Sequence, residues 1–124
     1  PRPDEAINLD MVGDKQLVLP IERYSLEYHP KLVRHLWDRA KDMGLDAFIG
    51  RVDYAIYDDH IPLNEIAGIP SIDLIDFKYP NSYANFWHTL NDIPENCSEE
   101  SLGQVGDLMV DYIYNREEQN RSEN

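Results

Sequence analysis

The sequence predicts an α/β layered fold, a largely parallel sheet flanked by helices. Three observations carry this. Short apolar runs of strand length alternate with stretches of helical periodicity, turn residues separate the two kinds, and 124 residues suffice for one core and not for two ordinary domains. No internal repeat interrupts the pattern.

Taken in order, Ala6 to Val12 is a compact apolar stretch closed by Gly13, and Gln16 to Pro20 alternates, so the pair predicts two strands joined at Gly13-Asp14. A strand this close to the first residue suggests that further sequence precedes it. From Pro30 to Met43, Leu32, Leu36, Ala40 and Met43 recur at helical spacing, Val33 and Trp37 widen the stripe, and Gly44 supplies the stop. Leu45 to Ile49 predicts a short strand, Arg51 to His60 a polar segment, Ile61 to Ala67 a short helix ending at Gly68, and Ile69 to Phe77 a buried strand. Lys78 to Asn96 carries Pro80, Asn81, Asn85, Pro94 and Asn96 without sustained periodicity and reads as a long loop, a kind of segment that is often functional in compact domains. Ser98 is a good N-cap, with Glu99 and Glu100 in the first turn, for a closing helix whose face is Leu102, Val105, Leu108, Met109, Tyr112 and Ile113. The folded unit is thus expected over residues 1–114, with residues 115–124 a polar, disordered tail.

Eleven basic against 24 acidic residues give a net charge of -13, which argues against nucleic acid and anionic membranes as partners. A solvated acidic surface explains that charge, and so does a site for a divalent metal or a peptide amino group. One cysteine, Cys97, excludes an internal disulfide framework and a cysteine-based zinc knuckle. No apolar run approaches the ~18 residues of a membrane span.

Three polar clusters interrupt apolar segments: Asn8-Leu9-Asp10-Met11-Val12-Gly13-Asp14, Tyr57-Asp58-Asp59-His60-Ile61-Pro62 and Phe86-Trp87-His88-Thr89-Leu90-Asn91-Asp92. Asp10 lies inside an apolar strand, where a carboxylate is costly unless paired, hydrogen-bonded or bound to metal. Asp58, Asp59 and His60 set an acidic pair beside an imidazole, suited to a proton relay or to a network behind a metal, or to a loop in which Asp59 caps the following helix. His88 beside Trp87 is a metal-ligand candidate with an aromatic wall, or an ordinary structural histidine. Local motifs stop there. The histidines at 29, 35, 60 and 88 lack metal-ligand spacing, and no H-E-x-x-H, G-x-S-x-G elbow, P-loop or dinucleotide fingerprint occurs.

In sequence order, D-M-V-G, D-D-H-I-P-L, G-I-P-S-I-D-L-I-D-F, W-H-T-L-N-D and S-E-E-S-L resemble the zinc aminopeptidase and glutaminyl cyclase family from about Ile7 to about Tyr114. The resemblance implies the C-terminal part of a three-layer α/β zinc-peptidase-like domain. Complete members also use an upstream His-x-Asp and an adjacent Glu-Glu pair, and neither precedes Asp10 here. Carried over by position, His88 is the zinc ligand from this portion, and Asp10 is either the second-zinc ligand of a two-metal aminopeptidase or a relay carboxylate of a one-zinc cyclase. Asp58 stands where cyclases place an acidic relay residue and aminopeptidases a small one, and Trp87 stands where cyclases line the pocket for an N-terminal glutamine.

That tilts the expectation toward cyclisation at peptide N-termini, with hydrolysis of N-terminal residues as the alternative. A third expectation is a binding domain of the same fold without catalysis, because one histidine and one aspartate hold zinc poorly when catalytic sites use three protein ligands. The partners implied are a peptide N-terminus and either the N-terminal part of the domain or a second copy pairing along the strand near residues 6–12.

Overall fold

The computed structural model describes residues 1–123. Its sheet elements are β1 (Ala6–Asp10), β2 (Leu19–Glu22), β3 (Phe48–Asp53) and β4 (Ser71–Ile75), with a two-residue hairpin of β5 (Pro80–Asn81) and β6 (Ala84–Asn85). The helices are α1 (Arg23–Tyr28), α2 (Pro30–Asp42), α3 (His60–Glu65) and α4 (Glu99–Glu123), and a 3-10 turn covers Pro94–Asn96.

Both longer pairings are parallel, β1 with β4 and β2 with β3. This agrees with the α/β layered expectation. β2 runs beside β4 without a ladder, and side chains meet the free edge of β4 instead. Asp73 N–H donates to Ser25 Oγ at 2.8 Å, Ser71 N–H to Asn64 Oδ1 at 3.0 Å, and Ile75 carbonyl accepts from Tyr54 hydroxyl at 2.5 Å. Buried backbone groups must find partners, and polar residues of α1, α3 and the 54–59 loop are drawn onto this edge to supply them.

Strand alternation divides the β1/β4 pair into two faces. Ile7, Ile72 and Leu74 point to one side, where they pack with Leu32, Val33, Leu36, Trp37 and Ala40 of α2 and Leu108 of α4. Asn8, Asp10 and Asp73 take the alternate positions, and Asn8 sits opposite Asp73 in the register. One face builds the core; the other brings polar side chains together. A second apolar cluster, Leu17, Leu19, Ala47 and Val105, ties the approach to β2 against α4.

Several boundaries differ from the sequence expectation. The second strand starts at Leu19 rather than Gln16, because Gln16 N–H turns back to Asp14 Oδ1 and Val18 N–H is taken by Asp76 Oδ2. The third starts at Phe48 rather than Leu45, since Leu45 N–H closes α2 on Ala40 and Ala47 N–H goes to Gln104 Oε1; it extends to Asp53 because Glu22 of β2 pairs with that residue. Helix α1 has no apolar periodicity to announce it and rests on Glu22, whose carboxylate accepts from the N–H groups of Tyr24 and Ser25. Asp59 stands at the start of α3 but makes no side-chain cap bond. In α4, Leu102 and Ile113 of the expected face are exposed. The helix also continues through residues 115–123, with Arg116 reaching back to Glu5 at 2.7 Å.

Gly44 closes α2 at φ 73°, a left-handed conformation that disfavours other residues. Gly13 is needed for close approach, because a Cβ there would lie 3.1 Å from Cys97 Sγ. Among the described residues no helix is long and apolar enough to cross a membrane.

Two predictions follow from this packing. Leu36 has no exposed surface, so Leu36→Ala is expected to cost about 2–5 kcal/mol in urea unfolding. The carboxyl of Asp76 is buried and beside Asp14, and burial first, then that neighbour, push its pKa up to about 8. With an unfolded value near ~3.9, the folded state holds this proton longer, so the stability it carries is complete in acid and is lost as pH rises through the folded value. Asp76→Asn is therefore expected to flatten the fall in thermal midpoint between roughly pH 4 and 8; an equally steep fall in the variant contradicts this.

Candidate functional site

In a parallel sheet, side chains and loops converge at the carboxyl ends of the strands. β1 ends there at Asp10, and the next residue, Met11, has φ 53°. Among the described residues the other non-glycine residue with positive φ is His88, at 58°. Such conformations are costly and gather at functional sites, and here one follows Asp10 directly and the other is that of His88 itself.

Asp10 meets Asp58. Burial first, then the hydrogen bond and charge of Asp58, raise the pKa of Asp10 above the usual carboxylate value. For Asp58 burial opposes ionisation, but the Asp59 N–H at 2.8 Å and the donated bonds from Asp73 and Asp10 outweigh it, and the net shift is downward. Asp73, fully buried, is pushed up to about 8 by burial and then by Asp58. The three neighbouring carboxyls therefore do not titrate alike. The side-chain amide of Asn8 spans the group, donating to Asp58 Oδ2 at 3.2 Å and to Asp73 Oδ1 at 3.0 Å.

The loop bearing Asp58 is fixed from behind. Glu22 Oε2 accepts from Ile56 N–H at 3.2 Å, and Asp58 carbonyl accepts from Ile61 N–H at 3.0 Å as α3 begins. His60 is fully buried and bonds Glu22 at 2.8 Å, with its other ring nitrogen 3.8 Å from Asp73. Of the Asp58-Asp59-His60 run, then, Asp58 alone reaches Asp10.

Trp87 and His88 sit in the 78–96 loop, which local side-chain bonds hold in shape. Asn81 Oδ1 accepts from the N–H groups of Tyr83 and Ala84, Asn85 Oδ1 from Trp87 N–H, and Tyr79 and Phe86 meet edge to face at 5.6 Å. The Trp87 and His88 rings stack at 3.8 Å and 18°, and Phe77 packs on Trp87 at 5.6 Å. Trp87 and Asp10 line one cavity of about 240 Å³, together with Met11, Gly13, Asp14, Tyr79, Asp92 and Cys97.

Among the described residues no group of three or more His, Cys, Asp or Glu side chains is arranged to hold a metal ion. His88 is exposed and stacked, and Asp10 is engaged with Asp58. These residues offer a partial donor set, short of the three protein ligands of a catalytic zinc site.

Asn8, Glu22 and Asp73 were not singled out by the sequence reading. Alternation offers a signal for two of them, because Asn8 lies two residues from Asp10 on one strand and Asp73 breaks an apolar run on another. Glu22 shows only as one charge after Pro20-Ile21.

Comparison with known proteins agrees with this geometry. Peptidase family M28 matches residues 4–113. A glutaminyl cyclase from Porphyromonas gingivalis is 34% identical with a TM-score of 0.84, over 90% of this chain and 42% of that one. A Zn-dependent exopeptidase from Parabacteroides distasonis is 36% identical with a TM-score of 0.83, over 90% and 39% of the two chains. A leucine aminopeptidase precursor from Bacteroides thetaiotaomicron is 35% identical with a TM-score of 0.83, over 92% and 38%. The chain therefore spans about two fifths of the length of these structures. No sequence among the curated proteins matches it. The match over nearly the whole chain and the shared zinc-peptidase-like fold establish that this chain belongs to peptidase family M28.

Proposed function

We propose that the chain is the C-terminal portion of a zinc-dependent M28 enzyme that acts at peptide N-termini, and that its reaction is cyclisation of N-terminal glutamine. The observation that carries this is the contact of Asp10 with Asp58 beside a cavity walled by Trp87. Glutaminyl cyclases and exopeptidases both stand among the similar structures, so the family alone does not choose between the reactions.

Cyclisation joins the substrate's α-amino nitrogen to its γ-amide carbon and breaks the bond to the leaving ammonia. A proton must pass from the nucleophile to that leaving group. The Asp10–Asp58 pair sets a carboxyl of raised pKa against one of lowered pKa, a pairing suited to a relay. Trp87 supplies an apolar wall for the glutamine side chain, and the acidic surroundings favour a free amino terminus. The chemistry that a bound zinc supplies is polarisation of the amide under attack. His88 is its ligand from this portion, and the remaining ligands come from the rest of the domain. Asp10, committed to Asp58, fits a relay better than a second metal site, which places hydrolysis by a two-metal aminopeptidase second.

The partner for this portion is the remainder of the domain. β1 is paired on one edge and Leu9 is 44% exposed, an apolar edge that a further strand covers.

Metal analysis and turnover test the reading. This chain alone is expected to hold no stoichiometric zinc, whereas a form extended upstream is expected to bind it and to cyclise glutaminyl peptides faster than it releases N-terminal leucine. Zinc-free protein from both forms overturns the catalytic reading in favour of a binding domain. In the active form, Asp58→Asn is expected to lower kcat by about 10²–10⁴-fold. Trp87→Ala is expected chiefly to raise KM for the glutaminyl peptide; a kcat unmoved by Asp58→Asn removes the relay.

A further inference from the structure

The carboxylate of Glu22 has no exposed surface, and five donors converge on it. Oε1 accepts from Ser25 N–H at 2.9 Å, Ser25 hydroxyl at 2.8 Å and His60 Nε2–H at 2.8 Å. Oε2 accepts from Tyr24 N–H at 2.8 Å and Ile56 N–H at 3.2 Å. Burial works against this charge, but the His60 bond and then the backbone and serine donors outweigh it, so the pKa is lowered and Glu22 stays ionised. An ionised carboxylate only accepts, which places a proton on His60 Nε2.

The far side of the imidazole faces the site. His60 Nδ1 lies 3.8 Å from Asp73 Oδ2, and both are buried atoms without a hydrogen-bond donor or acceptor of their own. Ser25 hydroxyl, which donates to Glu22, also accepts from Asp73 N–H. Asp73 in turn stands against Asp58 and shares the Asn8 amide with it. Glu22 thus reaches the candidate relay by two routes, through the Ile56 N–H two residues before Asp58 and through His60 and Ser25 to Asp73.

We propose that Glu22 and His60 are positioning residues for the reaction, holding Asp73 and the Asp58 loop in the place that sets Asp58 against Asp10. Neither touches substrate. The inference rests on the relay role given to Asp58 above. It gives Glu22, which also caps α1, and His60 a role beyond holding the fold.

The test uses the upstream-extended, zinc-loaded form with a glutaminyl peptide. His60→Gln keeps a donor for Glu22 and removes the atom facing Asp73, so the fold is expected to persist. Glu22→Gln is harsher, because an amide nitrogen would face donors on whichever side it took. Steady-state kinetics of each are expected to show kcat lowered about 10- to 100-fold, with KM within about threefold of the parent. In parallel, imidazole nitrogen chemical shifts of His60 should report the Nε2–H tautomer in the parent and lose that signature in Glu22→Gln. If His60→Gln folds and keeps the parent's kcat, or if the parent's His60 carries its proton on Nδ1 alone, the positioning role is overturned. An unsubstituted extended form that turns over neither glutaminyl nor leucyl substrate overturns the proposed function itself, and this inference with it; an active parent with unaffected variants removes this inference alone.

Discussion

A glutamate carboxylate buried without a counter-ion on its own strand must collect donors from wherever the chain can supply them, and Glu22 collects them from α1, from the segment after β3 and from α3. Leaving any of these unmade costs more than making it contributes, so the requirement acts as a constraint on layout. It starts α1 where no apolar pattern asks for a helix. It also folds the 54–59 loop inward, so that Asp58 arrives at the carboxyl end of β1. The apolar face of the sheet supplies stability through α2 and α4, but the polar face decides where the carboxyls meet.

The polar face obeys the same economy. Asp10, Asp58 and Asp73 cannot all be ionised so close together in a buried place, and their shifts diverge accordingly, two upward and one downward. Asp76, buried beside Asp14, is likewise raised. Groups of the same chemical type are thus pushed in opposite directions by position alone, a condition for moving a proton at neutral pH.

Much of the layout is legible in the sequence where periodicity is strong. The Leu32-Val33-Leu36-Trp37-Ala40 stripe gives α2 and the core, Ser98 caps α4 as its type and place predict, and the buried run around Ile72 and Leu74 gives β4. What is not legible depends on partners distant in sequence. Nothing local tells that Asp76 will take the Val18 N–H, that Gln104 will take that of Ala47, or that Glu22 will bond His60 across 38 positions. Asp10 and Asp58 stand out as charges among apolar neighbours and do meet. Asn8 and Asp73, which hold them, need the strand register to be seen. His88 and Trp87 were found as a pair, whereas their stacking and the left-handed backbone of His88 belong to the loop's own hydrogen bonds and have no sequence signature.

On the proposed function, this chain contributes one imidazole in a left-handed backbone conformation, an aromatic wall and a pair of neighbouring carboxyls. The fate of a single glutaminyl dipeptide tests that account most directly. The upstream-extended form is incubated with it, and ammonia and free glutamine are quantified in the same reaction. The account predicts ammonia in step with loss of substrate and no free glutamine; free glutamine without ammonia would show hydrolysis at the N-terminus and contradict the relay assigned to Asp10 and Asp58.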